Sequence, residues 1–301
     1  MRGDAIGVRL TRKQGTATSL RLARAVGREF AGSSAKALDP DLRVYLGDLV
    51  RPFGLPLREH LLDAGTGQAY ADMAEELIRA AVDEDEPLDL LVLAFAMPDV
   101  QPGRFTSLHL GYVGPGDPLA FAICDQGAAA AFTALRIARE YTRSSDLSRA
   151  LVLVVEQASL HYPPMIEPGG PPALPDRHTG VALLCDGAGP AEVAQIREHA
   201  AVEPESVRDL LAAAFADVTE LAALSGHRDR SILVLGDGIA RAETEGCVAG
   251  RVVRPPAGLP RTGIWLELAR SFPEWSRDTD VIVLADYDRQ LRTLCLCSFE
   301  L

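Results

Sequence analysis

The stretch Leu119-Ala120-Phe121-Ala122-Ile123-Cys124-Asp125-Gln126-Gly127-Ala128-Ala129-Ala130-Ala131 decides the fold. Residues 119–124 form an apolar run of strand length and read as a buried strand. Residues 125–142 read as a helix, and the four alanines at 128–131 make its start unusually small. A helix lined with alanine can approach a sheet or a second helix closely. Working outward, residues 88–95 are a continuous apolar run, as expected of a strand covered on both faces. Residues 68–82 place Met73, Leu77, Ile78 and Ala81 on one helical stripe. Further strands are expected at 5–10, 150–155, 181–185 and 231–235, with 191–196 continuing 181–185 after a turn. Helices are expected at 18–29, 107–111, 205–224 and 263–271. Residues 281–285 and 293–299 read as two closing antiparallel strands. Residues 39–67, 98–104 and 161–175 read as loops. Apolar strands alternating with helices indicate an α/β protein. The rhythm before residue 190 recurs in shorter form after it.

Composition removes several classes. The 301 residues are 48% hydrophobic and 24% charged, which excludes a disordered tail, a coiled coil or a collagen. A net charge of -12 argues against a nucleic-acid partner, because phosphate backbones select basic surfaces. No stretch is long and apolar enough to span or target a membrane, so a cytoplasmic location is expected. Five cysteines, at 124, 185, 247, 295 and 297, are an odd number and read as free thiols. There is no CxxC pair and no HExxH, so no metal site is expected.

Taken in order, several pieces resemble the 3-oxoacyl-ACP synthase III group of thiolase-fold condensing enzymes. They are Asp89-Leu90-Leu91-Val92-Leu93-Ala94, Met97-Pro98-Asp99, His109-Leu110-Gly111, Ala120-Phe121-Ala122-Ile123 and Asp186-Gly187-Ala188-Gly189. The strand at 151–156, the start of the last helix at Gly263-Ile264-Trp265-Leu266 and the strand at 280–285 fit as well. The resemblance covers about two-thirds of the chain; the first 67 residues and 240–260 match poorly. It implies a five-layer αβαβα fold of two similar halves, residues 1–190 and 191–301, in one compact unit.

In that family a cysteine at the start of the buried helix takes an acyl group from CoA or a carrier protein. The helix N-terminus favours its thiolate. A histidine and an asparagine from the C-terminal half then assist decarboxylation of a malonyl thioester. The resemblance places the cysteine near Gly127 or Ala128, the histidine near Asp237 and the asparagine near Thr262, in Arg261-Thr262-Gly263. None of the three residue types stands there, and the chain has no asparagine at all. His227 falls on the wrong side of the 231–235 strand. The chain therefore reads as a degenerate member, similar to the non-catalytic chain of the heterodimeric alkylquinolone condensing enzyme. The resemblance implies a dimer packed across the sheet edge near the 119–124 strand. The partner is an intact paralogue, or else a second copy, and acyl-CoA or an acyl carrier protein is the expected ligand. No cofactor is implied.

Two other readings stay open on the residues. Cys124 could serve as the nucleophile of a self-sufficient acyltransferase, with His161 or Asp237 as base, although adjacent Asp125 disfavours a thiolate. The bland reading of Cys124 is a small buried hydrophobe in a core strand. Asp125, Asp186 and Asp237 each follow a strand and could form a carboxylate cluster. The bland reading makes Asp125 a helix cap and the other two turn residues. Gly236-Asp237-Gly238 lacks the continuation of a nucleotide loop. Cys295 and Cys297 share a strand face and, with Cys185 and Trp265, are expected in the core. His109 and His178 read as surface or capping residues. His161-Tyr162-Pro163-Pro164 reads as an exposed loop, or as the lining of an acyl tunnel or an interface.

Overall fold

The computed structural model describes residues 19–102, 105–164, 173–224, 230–244 and 251–301. The first half contains β1 (Arg21–Phe30), α1 (Pro40–Val50), α2 (Glu59–Asp63), α3 (Tyr70–Ala81), β2 (Leu90–Ala94) and α4 (Thr106–Val113). It continues with β3 (Leu119–Ile123), α5 (Ala129–Ser144), β4 (Ala150–Glu156) and β5 (His178–Asp186). The second half contains β6 (Ala191–His199), α6 (Pro204–Leu224), β7 (Ser231–Leu235), β8 (Arg251–Val253), α7 (Gly263–Asp278), β9 (Val281–Asp288) and β10 (Thr293–Glu300).

The strands run in the order β3-β2-β4-β5-β1-β6-β10-β9-β7-β8. Outward from the centre, each run of five repeats one plan. A first strand pairs antiparallel with a fifth, which pairs antiparallel with a fourth; the second and third strands then add in parallel. The two runs meet where Arg21 and Leu22 of β1 pair with Glu192 and Ala191 of β6.

Alternation along the buried strands sorts their side chains into three cores, and these define the layers. Leu91, Leu93, Leu151 and Leu153 face α3. Val92, Val152, Val234 and Leu284 face a central layer of α5 and α7. Leu233, Leu235, Val283 and Leu296 face α6. The result is a five-layer αβαβα arrangement. The alanines of α5 do what their size predicts: Ala130, Ala131, Ala134 and Ala138 are buried in the central layer. There Phe132 of α5 meets Trp265 of α7 edge-on at 4.9 Å between ring centroids.

Several expectations need correction. The helix expected at 18–29 is not there: the described part of that stretch forms the strand β1, Arg21–Phe30. Its Ala, Leu and Arg content favours a helix locally, but the slot between β5 and β6 overrides it. A bulge between Leu22 and Arg24 changes which face each residue meets. Beyond it Val26 and Phe30 face the α3 side, while Ala25 faces α7. Arg28 pairs with Glu76 of α3 at 3.6 Å and Glu29 with Arg270 of α7 at 2.7 Å. Charge on both faces is tolerated because each flanking helix supplies a counter-ion. Within 39–67 the chain forms α1 and α2 rather than loop alone. Leu42, Leu46 and Val50 of α1 are buried at four-residue spacing. Residues 191–196 belong to a separate strand, β6. The strand at 119–124 is an edge strand, only partly buried, because among the described residues nothing pairs beyond β3. The strand expected at 5–10, Cys247 and His227 lie outside the described residues. No helix among the described residues is long and apolar enough to cross a membrane.

Candidate functional site

A cavity of about 370 Å³ opens where the central helices begin. Ala128 contributes the start of α5. Asp237 and Gly238 come from the turn after β7, and Pro260 and Arg261 from the segment before α7. Tyr287, Asp288, Arg289 and Gln290 form one wall at the end of β9. Thr262 lies just behind this lining, fully buried.

The start of α5 has an unusual anchor. Asp125 and Gly127 both adopt left-handed backbone, with φ of 59° and 52°. This turn delays the helix, so Ala128 is its N-cap and offers no side-chain acceptor. Asp288 supplies one from the other half: its Oδ2 accepts the Ala128 N–H at 3.1 Å. Its Oδ1 accepts the N–H groups of Gln290 and Leu291, both at 3.0 Å. A carboxylate at a helix N-terminus satisfies an orphan donor and complements the helix dipole. Any side chain at Gly127 would collide with it, since a Cβ there would lie 1.9 Å from Asp288 Oδ2.

The start of α7 is anchored by the same device in mirror order. Its N-cap, Thr262, donates its N–H to Glu156 Oε1 at 3.0 Å, and its hydroxyl bonds the same oxygen. Glu156 ends β4 as Asp288 ends β9. The last residue of the fourth strand in each half therefore caps the central helix of the other half. Glu156 is wholly buried, and desolvation pushes its carboxyl above the usual range against the pull of Thr262 and nearby Arg261. Arg261 Nη1 lies 4.0 Å from Glu156 Oε2 and also donates to the Ala173 carbonyl at 2.9 Å.

The cavity thus brings together Ala128, Asp237 and Arg261, with Gly127 behind Asp288 and Thr262 behind Arg261. It does not take in Cys124. That residue is exposed, not buried, because it lies one position beyond the edge strand. Desolvation and adjacent Asp125, whose carboxylate accepts the thiol at 3.3 Å, push the Cys124 thiol up. Cys124 is therefore expected to alkylate with iodoacetamide at pH 8 more slowly than a free cysteine. Labelling at the free-thiol rate would contradict this environment. His161 does not serve it either: it is buried and donates Nε2–H to the Thr66 carbonyl at 2.9 Å. Burial lowers its pKa. Tyr162 packs against the small core under α1, so this pair is no exposed loop.

Asp125, Asp186 and Asp237 do not meet. Asp125 is not the cap of α5, because the left-handed turn places it three residues before the N-cap. Asp186 accepts the N–H groups of Ala188 and Gly189 within its own turn. Asp237 accepts the Gly258 N–H at 2.9 Å. Its electrostatic neighbour is Asp286, which also faces Asp288. Among the described residues no group of three such side chains is arranged to hold a metal. Gly236-Asp237-Gly238 is a packing motif: a Cβ on Gly238 would lie 1.6 Å from the Tyr287 carbonyl oxygen. Cys185, Cys295, Cys297 and Trp265 sit in the central core as expected. His109 is a surface residue beside Glu75 at 2.7 Å, but His178 is buried under the end of β4 and accepts the Ala158 N–H at 3.3 Å. Sequence reading missed Asp286 and Asp288. The available signal was two acids, two apart, ending an otherwise apolar strand.

No protein-family profile and no curated sequence matches the chain. Solved structures do. The tetronic acid condensing enzyme AbyA1 superposes with a TM-score of 0.59 at 16% identity, over 93% of this chain and 99% of that one. The 3-oxoacyl-(acyl carrier protein) synthase III FabH from Pseudomonas aeruginosa PAO1 gives 0.58 at 17%, over 94% and 98%. An OleA variant from Xanthomonas campestris with bound lauric acid and lauroyl-CoA gives 0.60 at 11%, over 95% and 100%. The five-layer arrangement of this chain is the thiolase-like α/β fold of these condensing enzymes.

Proposed function

We propose that this chain is a non-catalytic or structural subunit of a condensing or acyl-transfer enzyme, in fatty-acid-like or polyketide secondary metabolism. The observation that carries the reading is the Asp288 carboxylate seated on the Ala128 N–H over Gly127. An acyl-accepting thiol at the start of α5 would need that space and that N–H. Here both serve a structural cap, a counterpart of Glu156 at the start of α7. The positions matched to the histidine and asparagine hold Asp237 and the Arg261-Thr262 pair. Neither offers an imidazole or an amide to polarise a thioester.

The partner is a catalytically intact paralogue, in a cytoplasmic heterodimer formed across β3. The outer edge of β3, which no described residue pairs, supports this, as do the apolar side chains around it. Phe105, Leu108 and Tyr112, at helical spacing on α4 and its start, are 80%, 70% and 86% exposed. Such a stripe beside an edge strand needs cover. The partner, rather than this acidic chain, binds the acyl carrier protein. Residues 1–190 and 191–301 act as one unit in this role.

Co-expression with a cysteine-containing homologue encoded nearby is expected to yield a stable heterodimer. Acyl-thioester consumption should require that homologue's cysteine. A stable homodimer that turns over acyl-CoA with no partner would sink the proposal. The alternative, a self-sufficient acyltransferase using Cys124, has the raised thiol against it. Mass spectrometry with acyl-CoA distinguishes the two: an acyl adduct on Cys124, lost in Cys124→Ala, would favour the alternative.

A further inference from the structure

α1 carries two apolar stripes, and only one of them is spent on the core. Leu42, Leu46 and Val50 are buried at four-residue spacing, in a small core with Leu62 and Val100. Tyr45 and Leu49, also four apart, face out, and Phe53 follows four further on in the short helical turn after α1. These three are 44%, 41% and 63% exposed, and Leu38 and Val44 on the same segment are exposed too. A surface helix packs with one apolar stripe; a second has no use inside the fold.

This face is continuous with the surface around β3. A groove of about 30 Å³ runs along it, lined by Leu46, Leu49, Pro98, Pro102, Leu160 and Tyr162. Pro102 is three residues from Phe105, where the stripe of α4 begins. α4 in turn lies directly on β3: a Cβ on Gly111 would be 3.1 Å from the Ala120 Cβ. Ser159 also borders the groove. It is buried, and its Oγ has no hydrogen-bond partner among the described residues. An incoming polar group would satisfy it.

Charge and area point to the occupant. The cations of the segment are already neutralised: Arg43 pairs with Glu59 at 3.1 Å and Asp63 at 2.5 Å, Arg51 with Asp48 at 2.6 Å, and Lys36 with Asp72 at 2.5 Å. An acidic partner such as an acyl carrier protein selects free cations. A near-neutral apolar face suits the core of a protein–protein interface, which is depleted of charge. Permanent two-chain complexes bury about 1,000–2,500 Å² per chain, roughly 65% of it apolar. The exposed apolar side chains beside β3 supply about 500 Å², short of the ~650 Å² that the lower bound requires. Those of α1 supply about as much again, which brings the two faces together inside the range.

We propose that the outer face of α1, with the groove beside it, is the second half of the heterodimer interface, covered by the same paralogous partner that covers β3. It rests on the heterodimer reading above and extends it: the partner's contact runs from β3 over α4 and Pro102 to Phe53.

Hydroxyl-radical footprinting of the intact chain, alone and with the cysteine-containing homologue encoded nearby, tests this without a substitution. Tyr45 and Phe53 should oxidise several-fold more slowly in the complex, as should Phe105 and Tyr112 beside β3. Val252 on β8, exposed at the opposite end of the sheet, should not change. Sedimentation of the pair then reads the energetics. Tyr45→Glu with Phe53→Glu should weaken it about thirtyfold, with Leu108→Glu on α4 weakening it by a similar factor. The double variant alone should keep the wild-type urea midpoint; if it does not, the footprint on the wild type decides. Protection at Phe105 and Tyr112 with none at Tyr45 and Phe53 would overturn this proposal and leave the heterodimer standing. No pair at all would overturn both. Protection of Tyr45 and Phe53 in a homodimer or by an acyl carrier protein, with none in the pair, would assign the face to that occupant and overturn the proposal.

Discussion

Glu156→Ala is expected to destabilise the protein by about 4 kcal/mol at pH 7, among the largest effects of any single truncation in the chain. Glu156 is completely buried, and one carboxylate oxygen holds both the N–H and the hydroxyl of Thr262. Its other oxygen faces Arg261, whose own side chain is only 11% exposed. Truncation leaves a buried guanidinium with the Ala173 carbonyl as its remaining partner and removes the acceptor at the start of α7. Breaking one side of a buried pair costs far more than the pair contributes, because the remaining charge has lost its compensation. Glu156→Gln separates the contributions. Its amide oxygen can still accept from Thr262, so the cap survives and only the charge facing Arg261 is lost. The amide variant should therefore lose about 1–2 kcal/mol. Urea denaturation at pH 7 measures both. Equal losses for Ala and Gln would mean that the charge, not the cap, is what Glu156 contributes.

How far the sequence discloses the fold follows from where each signal resides. The strands at 88–95, 150–155, 231–235 and 281–285 were legible because burial on both faces writes a continuous apolar run. The helix at 68–82 was legible because burial on one face writes a stripe. β1 was not, because its residues carry charge toward α3 on one face and α7 on the other, and only the assembled layers supply Glu76 and Arg270. The edge position of β3 was hidden as well, since an apolar run does not reveal how many neighbours it has. At the site, the matched motifs pointed to Gly127, Ala128, Asp237 and Thr262. The cap on Ala128, which fills the space over Gly127, comes from Asp288, 160 residues away along the chain from Ala128. No local periodicity encodes such a contact. The two helix starts are built alike only because the halves repeat one strand plan, and the repeat is in topology and not in residues.

Gly127→Ala is expected to cost about 3 kcal/mol, although it adds a single methyl group at a partly exposed turn. Two effects combine. Gly127 holds a φ of 52°, a left-handed conformation that costs alanine roughly 1 kcal/mol. The new Cβ would also take the place of Asp288 Oδ2, so the carboxylate must leave the Ala128 N–H. Losing a charged cap at a helix N-terminus costs about 1–2 kcal/mol more. Asp288→Gly alone should lose about that second amount. The double variant should not lose the sum, because the collision disappears with the carboxylate; a coupling of about 1–2 kcal/mol is expected. Additive losses would mean that Asp288 moves aside freely and does not occupy the start of α5. The same cycle with cysteine reaches the chemistry. Gly127→Cys alone sets its thiol against a carboxylate that disfavours the thiolate and holds the Ala128 N–H. Gly127→Cys with Asp288→Gly frees that N–H for the sulfur. Alkylation by iodoacetamide, counted in a Cys124→Ser background, should therefore be slow in the first and at least tenfold faster in the second, a difference of about 1.4 kcal/mol. Equal rates would show that the thiol position is open in the native chain, and the argument for a non-catalytic subunit would lose its main support.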